Sequence, residues 1–418
     1  MRRGVLGLQG GGMRHFKRIL FFASAVLCFT LTIQAAGKPL KVYILAGQSN
    51  MQGQARKSTM AGMAADPATR PLYEKMMDQD GDFRVFEEIR VAALNGTLEN
   101  PTTRNGPLTI GFGGALNGRP GGRGKQANRF GPEIAFGITM HEHLREPILL
   151  IKASWGGKNL RRDFLSPAGA ATMDGAKTGP FYKAMCEHVK TVLADPGKFH
   201  PAYDKEAGYQ IAGFVWFQGW NDQVAGGDKL YKPTRQRPAF AVYGDLLGHF
   251  IRDVRKEFDA PRMPFVIGVI GTGGKPDSKN PFREAMAAPA SLPEFKGNVF
   301  AVHTAEYFDE KLGELIDRGW RWMNPRWDPE KKYVELAGKL KPLQKQMKDA
   351  KKIQDKAERQ KVLSEIKEKM ENIKYTPQER NYIRMNKCNK GYHYFGSAKM
   401  YSRFGEAFAR AILEGQKQ

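Results

Sequence analysis

Cysteine is scarce in this chain of 418 residues, which contains only Cys28, Cys186 and Cys388. So few cysteines exclude a framework of several disulfides. Cys28 lies in an apolar N-terminal segment, so one bridge between Cys186 and Cys388 stays open, and sequence spacing does not decide it. The chain has no CxxC motif, and its 8 histidines are scattered. We therefore expect no metal site.

Long apolar runs are missing too. The longest apolar segment, residues 19–33, is shorter than the roughly 20 residues that span a bilayer. Arg14, Lys17 and Arg18 precede this segment and Ala35-Ala36 follow it, which is the pattern of a cleaved signal peptide. We predict a signal peptide over residues 1–36. The product, residues 37–418, would be exported to the periplasm or the medium without stable membrane insertion.

Acidic residues are few as well. The chain has 43 Asp and Glu against 66 Lys and Arg, a net charge of +23, and it keeps +18 without the five basic residues of the leader. This excess favours an anionic partner such as an acidic polysaccharide, a lipid surface or a nucleic acid, although a basic surface without a specific ligand explains it equally well. The sequence contains no Walker loop, no GxGxxG fingerprint and no nucleic-acid-binding motif. We predict neither a cofactor nor a nucleic-acid partner.

Short apolar segments alternate with amphipathic segments along the chain. The apolar segments predict five buried strands, at 40–45, 147–153, 211–217, 264–270 and 298–303. The amphipathic segments predict helices at 132–144, 181–194, 240–258 and 397–413. Strands that alternate with helices form right-handed βαβ units, so we predict an α/β fold with three layers and a parallel five-stranded sheet. Ligands of such sheets bind beyond the carboxyl ends of the strands.

Two segments do not fit this alternation. Residues 105–129 are rich in Gly and Arg and predict a long loop, either filler or a lid over a substrate. Residues 328–375 carry 14 Lys or Arg and 9 Asp or Glu, and their apolar residues follow helical spacing with a break at 358–360. We predict a helical hairpin, or one bent helix, inserted before the last helix. A solvated surface element is its simplest role, and a partner-binding or polysaccharide-binding arm is the alternative.

A serine directly follows the first predicted strand, in the segment Gly47-Gln48-Ser49-Asn50-Met51. At this position Ser49 can begin a helix whose backbone N–H groups stabilise negative charge. Because Met51 replaces the last glycine of GxSxG, the segment is not the nucleophile elbow of the α/β-hydrolases. Taken alone, such a serine is more often a helix cap than a nucleophile.

Four blocks together resemble the SGNH hydrolases, and more narrowly their sialate O-acetylesterase and acetylxylan esterase branch, the SASA domains. The blocks are GQSNMQG at 47–53, ASWGGK at 153–158, WFQGWND at 216–222 and GYHYF at 391–395. The resemblance covers most of the chain after the leader, except the helical insert. It implies a flavodoxin-like three-layer fold and a serine esterase that removes acetyl groups from carbohydrates without a metal or cofactor.

The resemblance also assigns roles to residues of the blocks. Ser49 is the nucleophile, and His393 is the base that activates it. The donors of the oxyanion hole are the backbone N–H groups of Ser49 and Gly156 together with one side-chain amide. Gln218 and Asn221 both carry such an amide, and we favour Gln218.

The carboxylate of a catalytic triad is missing from its usual place. The superfamily puts it three residues before the histidine, where this chain has Lys390, and the neighbouring Asn389 cannot supply a carboxylate. Asp309, after the last strand, is the first candidate for this acid, and Asp222 is the second. A Ser-His dyad, or a backbone carbonyl that orients the imidazole, is the alternative.

The signals for a substrate are aromatic and basic. Aromatic side chains in or near the blocks can stack on sugar rings or build the core: Trp155, Trp216, Trp220 and Tyr182. Basic side chains lie in or after the glycine block: Lys158, Arg161 and Arg162. They predict an acetylated carbohydrate of acidic or sulfated character. Two other functions stay open, namely a catalytically weak glycan-binding protein on the same fold and an esterase for lipids or other small esters.

Overall fold

The apolar segments that predict strands pair into one sheet. The computed structural model describes residues 37–114, 116, 128–226, 228–275, 279–323 and 331–417. Gly37–Gln418 form one compact unit, and the predicted signal peptide lies outside the described residues. The described strands are β1 (Leu40–Gly47), β2 (Ala55–Arg56), β3 (Phe86–Gly96), β4 (Pro101–Leu108), β5 (Arg129–Phe130), β6 (Ile148–Ser154), β7 (Tyr209–Phe217), β8 (Phe265–Val269) and β9 (Val299–His303).

The main sheet has the strand order β4-β3-β6-β1-β7-β8-β9. All neighbouring strands are parallel except β3 and β4, which are antiparallel. The α/β fold and the five predicted strands are confirmed. The prediction of five strands in total was wrong, because β3 and β4 extend the sheet to seven. β4 is a largely polar edge strand, and the apolar part of β3 begins only after two glutamates, so neither matches the continuous apolar pattern of a buried parallel strand.

The first residues of the predicted loop at 105–129 therefore belong to β4, and the last one begins β5. β2 and β5 form a separate two-stranded antiparallel sheet. Residues 115 and 117–127 lie outside the described residues, so a lid in this region stays a prediction.

Helices cover both faces of the main sheet. The described α-helices are α1 (Ser49–Gln52), α2 (Met60–Ala65), α3 (Arg70–Met76), α4 (Glu133–Leu144), α5 (Pro167–Ala171), α6 (Pro180–Ala194), α7 (Trp220–Val224), α8 (Ala241–Glu257), α9 (Pro281–Ala287), α10 (Glu310–Met323), α11 (Lys331–Ala350), α12 (Lys356–Lys374), α13 (Pro377–Asn386) and α14 (Ala398–Gly415). On β7, Trp216 packs against Phe250 of α8, whereas Phe217 packs against Phe408 of α14. Successive strand residues point to opposite faces, so this pair confirms the three-layer arrangement.

The charged insert is helical, as predicted. α11 and α12 pack against each other around a small core of Leu340, Ala350, Ile366 and Met370. The turn lies at residues 351–355 rather than at the predicted 358–360, because the Asp355 carboxylate accepts a hydrogen bond from the backbone N–H of Glu358 and so starts α12 earlier. None of the described helices is long and apolar enough to span a bilayer.

Cys186 and Cys388 are both free thiols. The disulfide that their number left open is therefore not formed. Burial raises the pKa of both thiols, that of Cys186 to about 12. Both are consequently protonated near neutral pH.

Candidate active site

Three of the four blocks meet where β1, β6 and β7 end. Gly47, the last residue of β1, is paired in register with Ser154 of β6 and with Phe217 of β7. Gly47 has a φ of +152°, and a side chain there would collide with the carbonyl of Phe217. The glycine of the first block therefore permits the close approach of two strand ends.

Ser49 is the first residue of α1, and 7% of its surface is exposed. A Cβ added to Gly156 would lie 3.7 Å from the Cβ of Ser49. Gly156 itself is exposed. The predicted nucleophile and the predicted oxyanion glycine are thus neighbours at the carboxyl end of the sheet.

The buried side chain of Gln48 joins the first block to the third. Its Oε1 accepts hydrogen bonds from the backbone N–H of Gly219 at 3.0 Å and from Gln218 Nε2 at 3.2 Å. Its Nε2 donates to Asn221 Oδ1 at 3.0 Å. From the sequence, Gln48 was only part of a motif. In the structure, its side chain holds the ends of β1 and β7 together.

The two candidate amides of the third block differ in what they have left to donate. Gln218, 2% exposed, donates through Nε2 to Asp222 Oδ2 at 2.6 Å and to the Lys158 carbonyl at 3.1 Å, besides Gln48. The NH₂ group of an amide has two N–H donors, and both donors of Gln218 are already engaged. Asn221 is half-buried, and its Nδ2 has no hydrogen-bond partner among the described residues. The geometry therefore favours Asn221 as the free amide donor, contrary to the sequence-based preference for Gln218.

Asp222, the second candidate for the triad acid, is buried in a hydrogen-bonded cluster of its own. Its carboxylate accepts hydrogen bonds from the Tyr231 hydroxyl, from the Leu160 backbone N–H at 2.9 Å and from Gln218. Burial raises the pKa of this carboxyl group, and these hydrogen bonds oppose the rise. Through these hydrogen bonds Asp222 supports the third block, and His393 is not among its partners.

Asp309, the first candidate for the acid, also has other partners. It forms an ion pair with Lys399 Nζ at 2.7 Å, and it accepts hydrogen bonds from the Tyr382 hydroxyl at 2.9 Å. Its carboxylate ties α10 to α13 and α14. Asp309 thus neutralises a lysine of the last helix, and among the described residues no hydrogen bond joins its carboxylate to His393.

His393 lies on a short 3-10 turn, Gly391–Gly396, that no periodicity predicts. The two residues after it, Tyr394 and Phe395, adopt left-handed φ angles of +47° and +56°, which are costly for residues with a side chain. The Tyr394 hydroxyl accepts a hydrogen bond from the Gly271 backbone N–H and bonds to Thr304 Oγ1, both at 2.7 Å. These buried contacts hold the strained turn that presents the histidine.

The histidine turn is also fixed to the nucleophile segment. Asn50 Nδ2, next to Ser49, donates to the carbonyl of Tyr392 at 3.2 Å, and Asn50 Oδ1 accepts from the Tyr401 hydroxyl at 2.8 Å. Ser49 and His393 are 344 positions apart in the chain, and their immediate neighbours are in direct contact. The segments that carry the two predicted catalytic residues are therefore in direct contact.

The side-chain amide of Asn389 lies next to the imidazole of His393, at the position where a catalytic triad has its carboxylate. His393 Nδ1 lies 3.3 Å from Asn389 Oδ1. Asn389 Nδ2 donates to Gln54 Oε1 at 3.3 Å, and Arg129 Nη1 donates to the same oxygen at 2.8 Å. An arginine can only donate, so Gln54 turns its oxygen toward Arg129, and Asn389 must turn its NH₂ group toward Gln54. The Asn389 oxygen therefore faces His393, which places the ring proton on Nδ1 and leaves Nε2 as the free base.

Burial and, secondarily, the positive charge of Arg129 lower the pKa of His393 to about 4. The imidazole is consequently neutral at neutral pH. A neutral imidazole can accept a proton from a nucleophile, which a protonated ring cannot.

The residues predicted to touch substrate divide into core and rim. Trp155, Trp216 and Tyr182 are buried and pack on other aromatic rings, so they build the core. Trp220 is half-buried and stacks on Tyr392, with the ring centroids 5.6 Å apart. Of the four predicted aromatic residues, Trp220 therefore has a position at the site that a sugar ring can use.

The basic residues of the rim are partly engaged. Lys158 Nζ lies 4.2 Å from the ring centroid of Phe181. Arg161 forms an ion pair with Asp228, which neutralises its charge, and Arg162 is exposed. The predicted anion contact at Arg161 thus competes with an acid that is already present.

Sequence reasoning missed a buried ion pair beneath the nucleophile helix. Lys152 Nζ donates to Glu133 Oε2 at 2.7 Å and to the backbone carbonyls of Gln52 at 3.1 Å and Phe112 at 2.9 Å. Gln52 is the last residue of α1, so the lysine holds the end of the helix that Ser49 begins. Its signal was a lysine in the middle of an apolar strand segment. Among the described residues, no cluster of His, Cys, Asp and Glu side chains could hold a metal ion.

Comparisons with known proteins bear on this site. The sequence matches the family described as SASA, carbohydrate esterase, sialic acid-specific acetylesterase, over residues 39–311. The match includes the first three blocks and ends before His393. No curated protein matches the sequence.

Solved structures similar to the chain include a protein from Arabidopsis thaliana, at 18% identity and a TM-score of 0.36, over 64% of this chain and 86% of that one. A novel carbohydrate acetylesterase from Xanthomonas citri is similar at 14% identity and a TM-score of 0.37, over 67% of this chain and 55% of that one. NanS is similar at 13% identity and a TM-score of 0.35, over 64% and 79% of the two chains.

Proposed function

Because the chain belongs to the SASA family of carbohydrate esterases, we propose that it removes acetyl groups from sugars through an acyl-enzyme formed on Ser49. One observation carries this proposal. Ser49 begins a helix beside Gly156, and the residue after it holds the turn that bears His393. A nucleophile, a base and an oxyanion site are the groups that acyl transfer needs.

The proposed reaction has two steps. Ser49 Oγ attacks the carbonyl carbon of the acetyl group while His393 Nε2 takes the hydroxyl proton. The tetrahedral intermediate collapses, the bond to the sugar oxygen breaks, and His393 returns the proton to that oxygen. Water then attacks the acetyl-serine while His393 Nε2 takes one of its protons. The bond to Ser49 Oγ breaks, His393 returns this proton to Ser49 Oγ, and acetate leaves with release of the second water proton to solvent.

The negative oxygen of the intermediate needs donors that are already in place. We assign this role to the backbone N–H groups of Ser49 and Gly156 and to the side-chain amide of Asn221. Gln48 supports this assignment, because its Nε2 binds the Asn221 oxygen and so turns the NH₂ group away from itself. One such donor lowers the barrier by about 3–4 kcal/mol.

Asn389 completes the set as the residue that orients His393. Its oxygen accepts from Nδ1–H and selects the tautomer, as the carboxylate of a triad does, but it adds no negative charge. The acid of the triad is thus replaced by an amide, and neither Asp309 nor Asp222 is needed for the step.

The same proposal includes the class of substrate and the compartment in which the protein acts. An acetylated carbohydrate fits the family, and the excess of basic residues favours one of acidic or sulfated character. The N-terminal pattern supports export to the periplasm or the medium. Residues 37–418 would then act as a single esterase domain that carries the α11–α12 hairpin as an insert.

A glycan-binding protein with little turnover is the second candidate. The observation that favours it is the amide, rather than a carboxylate, behind His393. Acetate release from an acetylated sugar and from p-nitrophenyl acetate separates the two functions, with Ser49→Ala and His393→Ala as variants. We expect release by the wild-type protein and a loss of about 1000-fold or more in either variant. Equal rates in all three proteins would favour the binding function.

A further inference from the structure

Two arginines stand side by side next to the histidine turn. Arg56 of β2 and Arg129 of β5 are directly opposite each other in the two-stranded sheet. Both side chains are half-buried. Burial, and secondarily the positive charge of Arg56, lower the pKa of Arg129. The two guanidinium groups therefore repel each other. Like charges opposite each other in a sheet are unfavourable.

Neither arginine has a counter-ion in the part of the chain that the structure describes. No carboxylate there forms an ion pair with either guanidinium, and the Nε of each is buried without a hydrogen-bond partner. Arg129 spends one N–H on Gln54, whereas the guanidinium of Arg56 has no partner among the described residues. The nearby thiol of Cys388 does not compensate, because burial raises its pKa and keeps it neutral. Partly buried charges without a partner are costly.

The arginine pair is connected to the base by three hydrogen bonds through two side chains. Arg129 and Asn389 share the Gln54 oxygen, and Asn389 in turn meets His393 Nδ1. The positive charge of Arg129 is also the second cause of the low pKa of His393. The pair therefore lies on the Nδ1 side of His393 and is linked to the ring through two side chains.

We propose that Arg56 and Arg129 bind the anionic group, a carboxylate or a sulfate, of the sugar that carries the acetyl ester. The inference rests on the proposed function and gives its substrate an anionic substituent at a stated place. Planar guanidinium groups match the paired oxygens of carboxylates and sulfates. The site differs from the rim at Lys158 and Arg161, where Asp228 already supplies the anion.

Selectivity is the measurement that tests the pair. We compare kcat/KM for an O-acetylated sialic or uronic acid with kcat/KM for a neutral O-acetylated sugar, in the wild-type protein and in Arg56→Met. Arg56 is the better target, because Arg129 also positions Asn389. Arg262→Met, at an exposed arginine outside the site, is the matched control. We expect the acidic-to-neutral ratio to fall about 10- to 100-fold in Arg56→Met and to stay unchanged in the control.

Two further arms complete the design. A neutral sugar, a uronate and a sugar sulfate, each acetylated, distinguish carboxylate from sulfate as the bound group. Arg56→Lys keeps the charge without the planar fork and should retain part of the preference. Circular dichroism and urea unfolding check that each variant is folded.

Direct binding separates this inference from the proposed function. Calorimetric titration of Ser49→Ala with glucuronate or N-acetylneuraminate needs no turnover, and we expect the affinity to fall about 10-fold or more when Arg56→Met is added. Esters hydrolysed without any preference for acidic sugars would overturn the inference and leave the esterase intact. A preference for acidic sugars that survives in Arg56→Met would show that the anionic group does not bind at this arginine pair. Absence of hydrolysis for every ester would instead contradict the proposed function.

Discussion

His393 Nδ1 lies 3.3 Å from Oδ1 of Asn389, so an amide oxygen stands where a triad has a carboxylate. An amide accepts the ring proton's hydrogen bond and fixes the tautomer, but it does not stabilise the positive charge of an imidazolium as a carboxylate does. The lowered pKa of His393, about 4, agrees with a buried ring that has no negative partner and a positive neighbour.

The first prediction concerns the acid limb of the pH profile. Activity requires the neutral imidazole, and protonation removes it only when the pH falls to the lowered pKa. We therefore expect kcat/KM of the wild-type protein to stay constant down to about pH 5 and to halve near pH 4. Initial rates in buffers of constant ionic strength measure this limb, and a midpoint at about 6 or above would be evidence against the lowered pKa.

Asn389→Asp tests the role of the amide directly. A carboxylate beside Nδ1 favours the charged ring and should raise the pKa of His393 by about 1 to 3, which moves the acid limb to higher pH. Asn389→Leu removes the acceptor and should lower kcat roughly 10- to 1000-fold. Asn381→Asp, which adds the same charge at an exposed position, is the control and should leave the limb in place. An identical limb in Asn389→Asp would exclude the contact.

The oxyanion amide is tested by a pair of variants in one block. Asn221→Ala should lower kcat about 100- to 1000-fold with an unchanged free energy of unfolding, because it removes a donor to the transition state. Gln218→Ala should lower the free energy of unfolding by about 1–3 kcal/mol, since it removes one of the three hydrogen bonds to the buried Asp222 carboxylate. Steady-state kinetics and urea unfolding of both variants separate the roles. A kinetic loss in Gln218→Ala alone would restore the sequence-based choice.

The buried pair beneath α1 gives a prediction for stability. Lys152→Met leaves the Glu133 carboxylate buried without its cation and should cost about 3–5 kcal/mol of unfolding free energy. Lys152→Met combined with Glu133→Gln should recover part of that loss, because the substituted amide is neutral and its oxygen can still accept from the Gly131 backbone N–H. Chemical denaturation of the two single variants and the double variant measures the coupling. Additive losses would show that the two side chains do not interact.

Trp220 is expected to bind the sugar. Removal of a stacking surface in Trp220→Ala should raise KM for an acetylated oligosaccharide about 3- to 10-fold. Trp320→Ala, at an exposed tryptophan of α10, serves as the control for the loss of an indole. A KM that is the same for both variants would remove Trp220 from the substrate site.

Most of the fold was predictable, for a physical reason. Strands buried on both faces are continuous apolar runs, so β1, β6, β7, β8 and β9 were recognised to within a few residues. β4 lies at the edge and alternates exposed with half-buried residues, so it resembles a loop in sequence. The insert was recognised by its helical spacing, and its turn was misplaced because a single capping residue, Asp355, decides it.

The site was predictable only in part. Motifs that follow strands must meet at one edge of the sheet, which is why Ser49, Gly156 and the third block could be grouped from the sequence. The choice between Gln218 and Asn221 depends on which N–H groups are already bonded, and the choice of Asn389 depends on contacts between segments more than 300 positions apart. Neither leaves a local pattern in the chain.

Trapping the acyl-enzyme decides whether Ser49 is the nucleophile. The protein is mixed with an acetyl ester and quenched in acid within milliseconds, and its peptides are analysed by mass spectrometry. We predict the added mass of one acetyl group on the peptide that contains Ser49, and no such mass in Ser49→Ala. If Asn389→Leu slows deacylation, the labelled fraction of this peptide is higher in that variant. An acetyl group on another residue, or acetate release without any labelled peptide in these proteins, would contradict the proposed mechanism.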